Sequence, residues 1–99
     1  MPDPKQVRWT EPAARDLEEI SEYIRSDRPT AAIAVAKTLF DAANNLILLP
    51  GSGRVGRKQG TRELSVSGLP YIIVYKVSGP AIHILRIYHG ARNWPAPSV

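Results

Sequence analysis

Past a short N-terminal segment, the apolar residues of this chain change period once, and the change falls just after a Pro50-Gly51 break. Before the break they recur at intervals of three and four, the spacing of a helix face; after it they alternate or run continuously, as strands do. A chain that keeps the two periods in separate halves builds its helices and its sheet from separate segments. That pattern points to an α+β domain rather than to alternating βαβ units.

In the first half Ala13, Leu17, Ile20 and Ile24 form one stripe, with Glu18, Glu19, Glu22 and Arg25 off it. Thr10 has the short polar side chain of an N-cap, and Glu11 and Pro12 suit a first helical turn. Asp27 and Pro29 close this helix and open another. Ala32, Ile33, Ala36, Leu39, Phe40, Ala43, Leu46 and Ile47 then keep helical spacing, which predicts a second helix of about 20 residues, roughly 30 Å long. The tight turn between them makes a helical hairpin.

Ahead of the hairpin, "KQVRWT" alternates Val7 and Trp9 against Gln6 and Arg8, as a short strand would. Behind it, "TRELSV", "PYIIVYKV" and "AIHILRIYH" read as three strands, separated by turns at 67–70 and 78–80. Short turns favour an antiparallel meander, with the two more apolar strands central. The expected order is β-α-α-β-β-β: one domain over residues 1–99, a helical hairpin packed on one face of a small antiparallel sheet, and a flexible tail over 95–99. Nothing else in the chain is left to cover the second face, so that face is where function is expected.

Ninety-nine residues suffice for one core. The absence of cysteine excludes disulfides, thiolate metal sites and thiol nucleophiles. No apolar run reaches the roughly 20 residues of a membrane helix, and the N-terminus lacks a signal-peptide core. The expectation is a soluble cytoplasmic protein without membrane contact.

Charge is divided unevenly. Residues 1–41 carry 8 acids and 6 bases, a net −2, whereas residues 42–99 carry 1 acid and 7 bases, a net +6. The second half is therefore expected to face an anion, either nucleic acid or an acidic protein.

The stretch "GSGRVGRKQGTREL" concentrates that charge on a glycine-rich backbone. Gly51, Gly53 and Gly56 have the spacing of a dinucleotide fingerprint, but that motif needs a strand before it and a helix after it, the reverse of the order here. A Walker loop fails because Arg57-Lys58-Gln59 stands where Lys-Ser/Thr is required. What remains is a basic loop bearing Arg54, Arg57, Lys58 and Arg62, read either as a contact for an anionic partner or as a solvated connector.

Among side chains with chemical potential, Arg62, Arg86, Tyr88 and His89 suit metal-free cleavage of RNA by its own 2′-hydroxyl. A base takes the proton and cations hold the developing phosphate charge. No cofactor and no metal is implied, since two histidines without cysteine or spaced acids make a poor zinc set. Structural roles compete with these. Arg86 in an apolar strand needs water or a partner such as Glu63; His83 suits packing, Tyr71 and Tyr75 suit the sheet, and Trp94 suits an anchor for the tail. Regular alternation places Arg86 and Tyr88 on one face and His89 on the other unless the strand is bulged.

The segments "VRWTEPAARDLEEISEYI", "LLPGSGRVGRKQGTREL", "PYIIVYKV" and "ILRIYHGARNWP", taken together, resemble the RelE/ParE superfamily of bacterial toxins over essentially the whole chain. The resemblance implies the same helical hairpin against an antiparallel sheet. It also implies a cognate antitoxin that wraps the toxin in a hetero-oligomeric complex, usually with a DNA-binding portion. Members divide by target: RelE-like toxins cleave mRNA in the ribosomal A site, and ParE-like toxins act on DNA gyrase. For a nuclease, Arg62 and Arg86 match the strand arginines and Tyr88 or His89 lies near the C-terminal catalytic group, although only Lys58 and Lys76 stand near a lysine-rich set. "GTREL", "YIIVYKV" and "HGARNWP" are closer to ParE-like sequences. Gyrase poisoning is thus the leading expectation, ahead of a ribosome-dependent endonuclease and of a non-toxic antitoxin-binding module. Arg54, Arg57, Lys58, Arg62, Arg92 and Trp94 are the residues expected to meet target or antitoxin.

Overall fold

A computed structural model describes residues 4–91. The chain begins with β1 (Gln6–Trp9), which leads through Thr10 into α1 (Glu11–Arg25). The Thr10 hydroxyl does two jobs at this corner. It accepts the Ala13 N–H at 3.4 Å, capping the helix, and it donates to the Ile84 carbonyl at 2.7 Å, fastening that cap to the sheet. Pro29 then starts α2 (Pro29–Asn44), and Asn45–Ile47 continues it as a single 3-10 turn, which together span the stretch read as one helix.

The remaining elements are β2 (Arg54–Val55), β3 (Arg62–Ser65), β4 (Tyr71–Ser78) and β5 (Ala81–His89). They join β1 in one five-stranded sheet of order β1-β5-β4-β3-β2. The β3-β4-β5 meander is antiparallel as expected, with Gly68 and Gly79 at positive φ in its two turns. Two features were not legible in the apolar pattern. β1 pairs parallel to β5, because the hairpin carries the chain back over the sheet before it re-enters, so the sheet is mixed. Within the glycine-rich loop, Arg54 and Val55 pair with Glu63 and Arg62 as a short edge strand.

The core lies between the hairpin and one face of the sheet. Ala13, Leu39, Ala43 and Leu46 from the helical side meet Ile73, Tyr75, Ile82, Ile84 and Ile87, all buried, with Val7, Trp9, Leu17 and Ile20 closing the margin. Burying each of the larger aliphatic chains contributes about 1.5–3 kcal/mol. Trp9 stacks on Phe40 with ring centroids 5.8 Å apart, joining the first strand to the second helix.

β5 is longer than its parallel neighbour. β1 covers only Ala81 to Ile84, so the last residues of β5 would present an open edge. Side chains take the place of a strand there. Thr10 donates to the Leu85 carbonyl at 3.2 Å, and the Asp16 carboxylate accepts the Ile87 N–H at 2.9 Å. At the same level the register slips: Val74 faces Arg86 while Tyr75 faces Ile84, leaving Leu85 as the extra residue of a bulge. The bulge lets Ile82, Ile84 and Ile87 all enter the helix-side core and turns Tyr88 to the opposite face.

That opposite face is less bare than the sequence suggested. Val74 is fully buried there, packed with Tyr88, Ile72 and Leu85. Glu63 is only 2 % exposed, because the turn after β2 folds over it. The expectation of a wholly uncovered face is corrected: the β2–β3 loop shields the half that contains Glu63.

Candidate functional site

The shielded half is organised around the Glu63 carboxylate. β3 points it away from the helices, between Arg54 on β2 and Tyr88 on β5. The Arg57 N–H donates to it at 2.9 Å, Arg54 Nη2 donates at 3.1 Å, the Tyr88 hydroxyl donates at 3.2 Å, and the Arg57 guanidinium lies at 3.6 Å. Burial acts to raise the Glu63 pKa, but the Arg57 N–H, Arg54, Tyr88 and the Arg57 charge outweigh it, so the net shift is downward. Glu63 is therefore an ionised hub that fixes two arginines whose side chains remain 62 % and 44 % exposed.

Tyr88 is a poor proton acceptor in this setting. Burial raises its pKa, and the Glu63 charge pushes the same way against Arg57 and Arg54. The phenol stays protonated at neutral pH and donates to Glu63.

The other candidates lie elsewhere. Arg62 is on the helix side of the sheet, opposite Tyr75, and donates to the Gly53 carbonyl at 2.7 Å. Arg86 takes as its partner Asp16 of α1, not Glu63. Its Nε donates to Oδ2 at 2.7 Å and its Nη2 to Oδ1 at 3.2 Å, a bidentate pair. The hydrogen bond to Asp16 raises the Arg86 pKa against the opposing effect of burial. His89 faces Tyr71 edge-on at 5.7 Å, and its Nδ1 accepts the Ala91 N–H. Lys58 lies in the loop, where its carbonyl accepts from Thr61. Arg92 and Trp94, like the tail over 95–99, fall outside the described residues.

The structure thus gathers Arg54, Arg57 and Tyr88 about Glu63, while Arg62, Arg86 and His89 are held apart. Asp16 was missed by sequence reasoning. The available signal was a carboxylate one residue before Leu17 and three after Ala13, on the flank of the apolar stripe.

The glycines of the loop answer to packing. A Cβ on Gly53 would come within 2.8 Å of the Tyr75 ring and hydroxyl, and one on Gly56 would strike Thr61. The Tyr75 hydroxyl accepts the Gly53 N–H at 2.9 Å and donates to the Pro50 carbonyl at 2.7 Å, pinning the loop to the core. Among the described residues no group of three His, Cys, Asp or Glu side chains is placed to hold a metal ion, and no helix is long and apolar enough to cross a membrane.

A groove of about 620 Å³ runs between α1 and the end of the sheet, lined by Glu19, Ile20, Tyr23, Tyr71 and His89 among others. A second, of about 490 Å³, continues past Tyr23, Pro70 and Tyr71 to Ile24, Val35 and Leu69. Tyr23, 80 % exposed, stands between them.

Comparison with known proteins agrees with this architecture. Residues 7–94 match the model of the ParE toxin of the type II toxin-antitoxin system, parDE. The chain is 43 % identical over 91 residues to the toxin Y4kP of Sinorhizobium fredii, covering 92 % of this chain and 94 % of that one. It is 42 % identical over 87 residues to the toxin RelE2 of Caulobacter vibrioides, covering 88 % and 97 %. Among solved structures, a chain of the chromosomal ParDE toxin-antitoxin system from P. aeruginosa superposes with a TM-score of 0.81 at 26 % identity, over 89 % of this chain and 98 % of that one. One from the RelBE2 toxin-antitoxin complex of Mycobacterium tuberculosis does so with a TM-score of 0.59 at 26 % identity, over 87 % and 98 %. Two helices on one five-stranded mixed sheet, matched along nearly the whole sequence, make this chain a member of the ParE family within the ParE/RelE superfamily of type II toxin-antitoxin toxins.

Proposed function

We propose that this toxin arrests growth by poisoning DNA gyrase and that a cognate antitoxin neutralises it. The observation that carries the target is the engagement of the strand arginines. Arg62 is held by backbone carbonyls on the helix side of the sheet, and Arg86, on the same face of β5 as Tyr88, is bound bidentately by Asp16, so neither is arranged with Tyr88 around a scissile phosphate. A metal-free nuclease needs its base and its phosphate ligands within hydrogen-bond reach of one substrate. Arg54 and Arg57, exposed and preset by Glu63, suit instead an acidic surface on the target. With purified toxin in excess, a supercoiling assay should show inhibition and trapped cleavage complexes; full supercoiling without trapped complexes would exclude the gyrase reading.

For the antitoxin, the two adjoining grooves that share Tyr23, Pro70 and Tyr71 fit an amphipathic segment that buries its apolar side chains there. The ParDE and RelBE2 neighbours are both parts of toxin-antitoxin systems, which supports such a partner.

A second reading, ribosome-dependent mRNA cleavage, draws on the 42 % identity to a toxin named RelE2 and on a tyrosine lying beside two arginines. Primer extension on translated mRNA tests it, and in-frame cuts would favour it over gyrase.

A further inference from the structure

The open half of the helix-free face carries a transverse row of basic side chains. Arg8 on β1 pairs with His83 on β5, and His83 pairs with Lys76 on β4. Their neighbours along each strand, Val7 and Trp9, Ile82 and Ile84, and Tyr75, all enter the helix-side core. Arg8, His83 and Lys76 therefore project together from the other face.

Arg8 and Lys76 flank His83 from the two neighbouring strands, so two fixed positive charges and an imidazole stand on one side of the sheet within two strand spacings. Among the described residues none of the three has an ion-pair partner. The carboxylate nearest on this face, Glu63 opposite Val74, is already held by Arg54, Arg57 and Tyr88. Arg8 and Lys76 are exposed and His83 half-buried, so all three can reach an incoming anion.

We infer that this row is a binding site for the phosphate backbone of duplex DNA, separate from the Glu63 hub. Strands about 4.8 Å apart spread the three side chains across roughly 10 Å. A duplex presents one negative charge per about 1.7 Å of its axis, so several phosphates fall within that span. Single-stranded nucleic acid is a poorer match, because it is usually held by exposed aromatic rings. Among the described residues, the tyrosine on this face, Tyr88, is buried, while Trp9 and Tyr75 lie on the helix side. An acidic protein is also a poorer match, because protein interfaces centre on apolar anchors. Phe40 and Ile33 sit on α2 behind the sheet, and the exposed Val55 and Val77 pair with Arg62 and Ile82 of the helix face.

The inference does not depend on the gyrase reading, and its test does not use gyrase. Purified full-length toxin is titrated into a fluorescent mixed-sequence DNA duplex across a salt series, beside an Arg8→Gln/Lys76→Gln variant and an Arg15→Gln control on α1. The wild-type protein should bind with an affinity that falls as salt rises. The double variant should bind roughly tenfold or more weakly at low salt, with a slope of log K against log salt shallower by about 1.8, the loss of two phosphate contacts. The control should match the wild type. A variant with unaltered affinity and slope overturns the inference. So does a preference for single-stranded DNA of equal length, or binding to polyglutamate but not to the duplex. Matching thermal melts for wild type and variant keep a loss of binding from being mistaken for unfolding.

Discussion

Asp16 holds Arg86 through two hydrogen bonds, at 2.7 and 3.2 Å, across the seam between the first helix and the last strand. The same carboxylate accepts the Ile87 N–H, so it satisfies both a cation and a strand edge. Replacing Asp16 with alanine strands all of these donors. The expected loss is about 2–4 kcal/mol, seen as a lower urea midpoint with an unchanged m-value. Arg86→Ala should also destabilise, by less, because a carboxylate bound to a backbone N–H remains. A fall in toxicity after Arg86→Ala is therefore to be judged against the folded fraction before it is assigned to catalysis.

Tyr88→Phe is the cleaner probe of mechanism, since it removes the hydroxyl and keeps the ring against Val74. On the gyrase reading, growth inhibition should persist within about threefold when equal amounts of folded toxin are compared. A proton-transfer role would cost roughly 100-fold or more. Colony counts after induction without antitoxin decide between them.

Glu63 links stability to pH. Its folded pKa lies below the unfolded value of about 4.5, so its stabilising contribution is complete above that value and disappears as pH falls through the folded pKa. Urea titrations between about pH 7 and pH 3 should show stability falling on the acid side, and Glu63→Gln should flatten that fall. The variant starts from lower stability at neutral pH, because Arg54 and Arg57 lose their shared carboxylate.

Two glycines two residues apart should respond differently to alanine. Gly51 has no atom near its absent Cβ, whereas Gly53 has the Tyr75 ring and hydroxyl at 2.8 Å. Gly51→Ala should change stability by less than about 0.5 kcal/mol; Gly53→Ala should cost roughly 1–3 kcal/mol by forcing that ring aside. Thermal melts of the two variants provide the comparison. Tyr75→Phe should lie between them, at about 1–2 kcal/mol, having lost both loop bonds without a clash.

Helices, the meander and the identity of most core residues follow from apolar spacing, because burial on one face leaves a periodic trace. Thr10 was legible as a cap for the same reason: its role is local. Long-range pairings leave no such trace. Arg86 was seen to need a partner, but Asp16, 70 residues earlier, is chosen by how the hairpin lies on the sheet. The parallel docking of β1 likewise arises only after the hairpin has formed, and with it the alignment of Arg8 beside His83. The position of the bulge at Leu85 leaves no trace in the apolar pattern; because it falls before Arg86, Arg86 and Tyr88 share one face and His89 takes the other, as regular alternation gives. The loop arginines were found as a charged cluster; that one buried acid would order two of them required the fold of β2 over β3.

The guarded rim of β5 has a further consequence for life in a crowded cell. A largely apolar strand that outruns its parallel neighbour, as β5 does beyond Ile84, invites another copy to pair alongside, the first step toward fibres. Here a threonine and an aspartate sit where a newcomer's backbone would have to go. A docking ribbon is left the four-residue margin of β1 or the two-residue margin of β2, too short to seed runaway growth. Among the described residues, the unpaired end of the longest strand is thereby closed as a template for another copy of the chain.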